Sequence, residues 1–465
     1  MPWHGAALSG AAPFLRVLHA APHAPSHAAF HAPFTPPFTP RPSAPRRGPP
    51  GAGCRRPISR HVPPPPLQQP PRRPPAGPAQ RHPAIDTVKG LACAAIVWHH
   101  LAFYGPMSDI AQPLAPELMA VLSQYGRLAV QVFLVLGGYL AAASLAPAGL
   151  ARFDAAGTQI GRRFVRLVVP YAVALVAALL AAAAVRPWLG DHPSVPAEPS
   201  IAQLLAHAVL LHDVFGEEAL SAGVWYVAID FQLFASAVLL MAAVRRWGGS
   251  PQRAAVATWV AVALACAASL WLFNRQPGLD VWAAYFWGAY GLGMLACWGA
   301  RSPRHGALWL VGIALLGAVA LWLDFRDRIA LAWVTALGLA VCLRTNGAGS
   351  AAGAEGAGFA RVAESRQAGA LLRPVQALGR MAYSVFLVHF PVCLVVNAAF
   401  SQAAPQSPAW NALGMVAAFA LSVGAGRLLY RRVESQLATW TVAMRWQAGL
   451  VGLGWAVIWA SRVLR

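Results

Sequence analysis

The chain has 465 residues, 57% of them hydrophobic and 11% charged, with 36 Lys and Arg against 16 Asp and Glu. A soluble domain carries about twice that share of charge, so the composition excludes an ordinary soluble enzyme and indicates an all-α polytopic membrane protein. The net charge of +20 is not a nucleic-acid footprint either, because the basic residues gather in one acid-free tail and in short loops between apolar runs, as membrane topology requires.

Residues 1–83 hold 23 of the 39 prolines and seven of the 14 histidines, with ten basic residues and no acid. Such a stretch buries too little apolar surface to offset its ordering entropy and is expected to be disordered. A start assigned too far upstream accounts for it equally well. The tail histidines lie among prolines without acidic or cysteine company, and the six cysteines stand singly, mostly inside apolar runs. No metal site is read from either.

Beyond the tail, apolar runs near 20 residues recur, the length a spanning helix needs. Ten are placed at 85–104, 118–145, 164–186, 222–244, 254–273, 281–299, 306–323, 328–343, 377–400 and 409–430, with 447–463 as an eleventh span or an interfacial helix. With the N-terminus in the cytoplasm, seventeen arginines fall in the inner loops and four in the outer ones, which also collect most of the acids. That asymmetry sets the orientation. The outer segment 187–221 is long enough to cap a site, and the Gly/Ala-rich inner segment 344–376 reads as a flexible linker.

The first run, IDTVKGLACAAIVWHHLAFY, carries groups that a plain anchor has no use for, since each ionisable side chain near a bilayer centre costs about 3 kcal/mol. Asp86 and Lys89 are neighbours at i,i+3. His100, eleven residues past Lys89, returns to within about 20° of the same face and about 16 Å further along, while His99 is rotated away. The stripe is either an end-of-helix ion pair with an interfacial histidine, or a site in which His100 is a general base. In GRRFVRLVVPY, Arg162 and Arg166 share a face at i,i+4 with Arg163 beside them. Guanidinium forks of this kind match phosphate oxygens, and they also serve as plain topological anchors. In VWYVAIDFQLF, Asp230 lies within an apolar span and calls for a partner, expected to be a histidine or lysine of the first run. In AYSVFLVHFPV, His389 precedes Pro391, which kinks the helix and frees a carbonyl.

Together these segments, in this order, resemble the integral-membrane acyltransferase family 3, bacterial O-acyltransferases that modify surface and secreted glycans. The family's opening helix is matched by Asp86, Lys89 and His100, its Arg-x-x-x-Arg by Arg162 and Arg166, and its Trp-acid-Phe segment by Trp225 to Phe234. Tyr383, Ser384, His389 and Pro391 match its Tyr-Ser-His-Pro segment, and Glu434 its closing acid. The chain departs from the pattern at Gly137, where serine is usual, at Asp230, where glutamate is usual, and after Glu434, where a proline is missing. The resemblance covers 84–435, leaving 436–465 as a C-terminal tail.

The resemblance implies an inner-membrane O-acyltransferase that takes an acyl group, expected to be acetyl, from cytoplasmic acyl-CoA to a hydroxyl of a glycan or lipid-linked saccharide. Acyl-CoA would be a donor substrate rather than a bound cofactor, with its phosphates on Arg162, Arg166 and Arg163. His100 would be the base and Asp230 would orient an imidazole, with Asp86, Lys89 and His389 in the same site. Lys89, Tyr139 and His389 are the candidate donors to the oxyanion. A multi-spanning sugar or lipid transporter is the competing class, and the missing internal repeat weighs against it.

Overall fold

The computed structural model describes residues 82–190, 192–247, 249–349 and 366–463. The expected tail lies outside the described residues except for His82 and Pro83, as does the middle of the expected linker. Among the described residues every regular element is helical. Helix α1 (Pro83–Phe103) is followed by the short α2 (Met107–Ala111), α3 (Pro116–Tyr125) and α4 (Ala129–Leu145). Then come α5 (Ala156–Leu189), the short α6 (Ile201–Ala208), α7 (Val224–Trp247), α8 (Pro251–Trp271), α9 (Ala283–Arg301), α10 (Gly306–Leu323) and α11 (Asp327–Gly349). The last four are α12 (Arg366–Arg380), α13 (Ala382–Ala403), α14 (Pro408–Leu429) and α15 (Trp440–Val463), with a π-helical turn at Tyr430–Glu434. Part of the expected linker is thus helix.

Seven stretches are long and apolar enough to cross a membrane: Pro116–Leu145, Ala156–Leu189, Val224–Trp247, Pro251–Arg275, Gly306–Leu323, Ala382–Ala403 and Pro408–Glu434. The chain is therefore a multi-pass membrane protein. Helices α1, α9, α11 and α15 have 21, 19, 23 and 24 residues but are not among these seven. In α1 the cause is plain, since Asp86, Lys89, His99 and His100 sit in it.

Helix α9 is the axis of the bundle, buried without a break from Tyr285 to Gly299. It packs against α4 so closely that a Cβ on Gly138 would stand 1.9 Å from the Tyr290 carbonyl oxygen, and one on Gly293 would stand 1.9 Å from that of Val135. Small residues on both sides let two backbones touch, which is how membrane helices associate when lipid offers no hydrophobic drive. The same device joins α1 to α12. A Cβ on Gly90 would lie 2.0 Å from the Val375 oxygen, and one on Gly379 would lie 1.8 Å from that of Asp86. The glycine one residue after Lys89 is thus a packing requirement.

The segment between α5 and α7 folds inward. Ser200 and Gln203 form a reciprocal capping box that starts α6, and Leu210, at φ 59, turns the chain soon after it ends. Leu204 meets Gly454 of α15, and Gly223, at φ +81, lies against the Phe386 ring of α13. His207 and His212 are fully buried and stacked with centroids 4.0 Å apart. Burial holds His207 down at about 4. Burial, reinforced by Asp280, pushes Asp213 up to about 7, with His212 Nε2 3.4 Å from its carboxylate.

Two outcomes are expected in thermal unfolding of the detergent-solubilised protein. Gly138→Ala drives a methyl into backbone and costs about 1–3 kcal/mol, whereas Gly312→Ala, with nothing within 4 Å, leaves the midpoint unchanged or raised. The Asp213 carboxyl titrates above its ordinary 3.8, so its favourable contribution is whole below about pH 4 and is lost as pH rises through 7. Asp213→Asn cannot ionise. It should melt about 2–4 °C above wild type at pH 8 and level with it at pH 4. A pH-independent difference between the two proteins would contradict the burial of this carboxyl.

Candidate active site

Helices α1 and α13 run side by side, and two imidazoles meet between them. His100 Nδ1 lies 2.7 Å from His389 Nε2, with ring centroids 4.7 Å apart and planes 13° from parallel. The other nitrogen of His389, Nδ1, is 2.6 Å from the Phe386 carbonyl oxygen. A carbonyl only accepts, so Nδ1 of His389 carries the proton and a neutral His389 offers the lone pair on Nε2. His100 Nδ1–H then donates to that lone pair. The hydrogen-bond pattern therefore leaves His100 Nε2 unprotonated and turned away from His389, as a base requires. His389 is fully buried, while His100 is half-buried beside Tyr104, 5.6 Å away. Pro391 cannot donate to Leu387, so the carbonyl it frees is not the one that His389 engages. His99 faces elsewhere, with Nδ1 3.0 Å from the Leu122 carbonyl and Gly126 packed on its Cβ.

One end of the same helices gathers charge. Lys89 feels Asp86, Arg163, Glu434 and Arg166. Glu434, on the π-helical turn, accepts the Ser384 hydroxyl proton at 2.5 Å, five residues before His389 on α13. Tyr383 donates to the Leu167 carbonyl at 2.9 Å and ties α13 to α5. Ser384 and Glu434 carried no assigned role in the sequence reading, and only their motif positions marked them.

The arginine trio divides. Arg162 and Arg166 are exposed on one face of α5, as their spacing requires. Arg163 is turned inward and closes on Asp230 of α7 at 2.5 Å, with its guanidinium over the Phe234 ring and with Tyr226 and Tyr290 nearby. This corrects two expectations. Asp230 is not the partner of a histidine or lysine of α1, and Arg163 is committed to a carboxylate rather than open to phosphate. A rotation of about 100° from Arg162 was the available signal. Gln232 bonds Val281 and Ala283 at the start of α9 and is structural.

Tyr139 sits beside Arg301 and Cys297 at the far end of α9. Lys89 stays about 16 Å from His100 along α1. Among the described residues no group of three or more His, Cys, Asp or Glu is placed to hold a metal.

A helical, multi-pass membrane protein with an imidazole pair between two helices and a charged cluster at one end of them is thus defined. The model of acyltransferase family 3, described as an acyltransferase domain, matches residues 82–427, and the chain belongs to that family. It is accordingly a membrane acyltransferase. No curated protein and no solved structure matches it. The matched region contains both histidines and the arginine trio but stops short of Glu434.

Removing one partner of a buried ion pair leaves the other charge uncompensated. Arg163→Met should cost about 3–5 kcal/mol of stability. Arg163→Met/Asp230→Asn should recover most of it, read as melting midpoints in detergent. A double variant no more stable than the single one would mean that Asp230 is supported by something else.

Proposed function

We propose that the protein moves an acyl group, expected to be acetyl, from cytoplasmic acyl-CoA to a hydroxyl of an exported or cell-surface glycan or a lipid-linked saccharide. The observation that carries this reading is the hydrogen-bonded order Phe386 carbonyl, His389, His100, which leaves a lone pair on His100 Nε2. In the reaction the acceptor hydroxyl gives its proton to that nitrogen, and its oxygen attacks the thioester carbonyl carbon. The carbon–sulfur bond then breaks, and the leaving thiolate takes the proton back from the imidazolium, restoring the base. His389 keeps His100 in the required tautomer, as carboxylates and carbonyls do for other catalytic histidines.

Exposed Arg162 and Arg166, with Lys89 close by, suit the phosphates of the donor at the cytoplasmic face. The acyl end reaches inward along α1 and α13 toward the histidines. Asp86 and Glu434 balance the basic cluster, and the Arg163–Asp230 pair holds α5 to α7 behind it. In this arrangement α1, α9 and α11 also cross the inner membrane, giving ten spans, and α15 gives an eleventh, with the N-terminus cytoplasmic. The inward-folded segment 201–223 lies on the acceptor side.

The test is transfer from labelled acetyl-CoA in membranes with equal expression of each variant. His100→Ala should lose about 10²–10⁴-fold in kcat, and Arg166→Ala should raise KM for the donor with a smaller loss of kcat. Unimpaired transfer by His100→Ala would remove the base assignment. Failure of the wild type to consume any acyl-CoA would favour transport.

A further inference from the structure

The stretch between α6 and α7 ends against the imidazole pair. Gly223 lies on the ring of Phe386, whose carbonyl oxygen holds the Nδ1 proton of His389. Ala222 clusters with Phe390 and Leu394 of α13 and with Tyr104, whose ring is 5.6 Å from that of His100. Three residues of left-handed backbone divide the stretch: Leu210 at φ 59, Gly216 at φ 71 and Gly223 at φ 81. A leucine at such a φ is strained and persists only where its surroundings hold it. Here they are titratable. His207 donates from Nδ1 to the Gln203 carbonyl at 2.8 Å and accepts the Leu220 N–H on Nε2 at 3.1 Å, so one neutral imidazole ties α6 to the far end of the stretch. His212 stacks on it, centroids 4.0 Å apart, with Nε2 3.4 Å from the Asp213 carboxylate. Oδ2 of Asp213 is buried and accepts no hydrogen bond from any described residue. Tyr171 of α5 faces the carboxyl without bonding it, and Asp280, ahead of α9, repels its charge. A carboxyl in these surroundings is at ease only with its proton on.

We propose that residues 211–222 form a strap over the acceptor side of the imidazole pair, seated while Asp213 is protonated and released when it ionises. This rests on the acceptor-side placement above. Asp213 titrates at about 7 in the seated strap against its ordinary 3.8. The opening equilibrium therefore rises about tenfold per pH unit between those values and levels off above 7. His207, held down at about 4, stays neutral above pH 6 and takes no part in the response. Release has two effects. It uncovers the acceptor side, and it takes Gly223 off the residue whose carbonyl fixes the His389 proton.

The experiment reads the strap without the reaction, using the full chain in sealed right-side-out membrane vesicles and a membrane-impermeant maleimide. The labelling rate of Ser221→Cys is divided by that of Phe215→Cys, after subtracting the labelling of the unsubstituted chain. Ser221 is 2% exposed and Phe215 63%, so the first thiol reports release, and the second carries the common effect of pH on thiols. The ratio should be low at pH 6 and rise about tenfold by pH 8. Combined with Asp213→Asn, it should stay at its pH 6 value throughout. Ala222→Cys, also buried, is the second reporter if Ser221→Cys does not assemble. A ratio near one at pH 6, a ratio flat with pH, or a rise that survives Asp213→Asn overturns the strap and leaves the acyl-transfer reading untouched. Labelling of Phe215→Cys in inverted vesicles alone overturns the outward placement and the proposal with it, an outcome distinct from the other three.

Discussion

A membrane helix that carries ionisable groups must find each of them a partner before the bundle can close, because lipid supplies none. Helix α1 sets this requirement for the molecule. His100 calls α13 alongside through His389, and His99 engages the carbonyl of Leu122 ahead of α4. Lys89 and Asp86 draw in α5 and the turn after α14. The glycine at position 90 lets α12 press against the same helix. Once α1 has its neighbours, the charged mouth and the imidazole pair are both placed, and α9 with its glycine crossings serves as the frame behind them.

Much of this was legible in the residues. Rotation by about 100° per residue put Lys89 and His100 on one stripe and His99 off it, and the helices were found close to where the apolar runs lie. What the sequence lacked was adjacency between helices. Asp230 had a computable height in its span but no marked neighbour, so the nearest known cations on α1 were preferred to Arg163. The pairing of His100 with His389 joins residues 289 positions apart, and no local pattern encodes such a contact. The tautomer depends on a backbone carbonyl and was likewise invisible. Span number was ambiguous for a related reason: α1, α9, α11 and α15 have the length but spend part of it on polar, aromatic and glycine residues.

The departures from the family pattern gain a physical setting. Gly137 presents an open Cα to the Tyr290 ring and to Asp230, whose Oδ1 would lie 3.6 Å from an added Cβ. A serine there would stand beside the carboxylate as an extra donor. With glycine, Asp230 depends more fully on Arg163, and the two tyrosines and Phe234 close the space around the pair. The shorter acid and the missing hydroxyl are therefore changes to one cluster rather than two unrelated losses.

The contact of Leu204 with Gly454 has a bearing on biogenesis. The inward-folded segment is made early in translation, yet part of its seat belongs to α15, which is made much later. During insertion it has to wait, unseated, while some 250 residues emerge, and only the arrival of α15 closes that side of the bundle. The same late helix brings Trp440 to α5. A ribosome that stalls before α15 would thus leave this segment without the Gly454 side of its seat and α5 without the Trp440 ring beside Phe164.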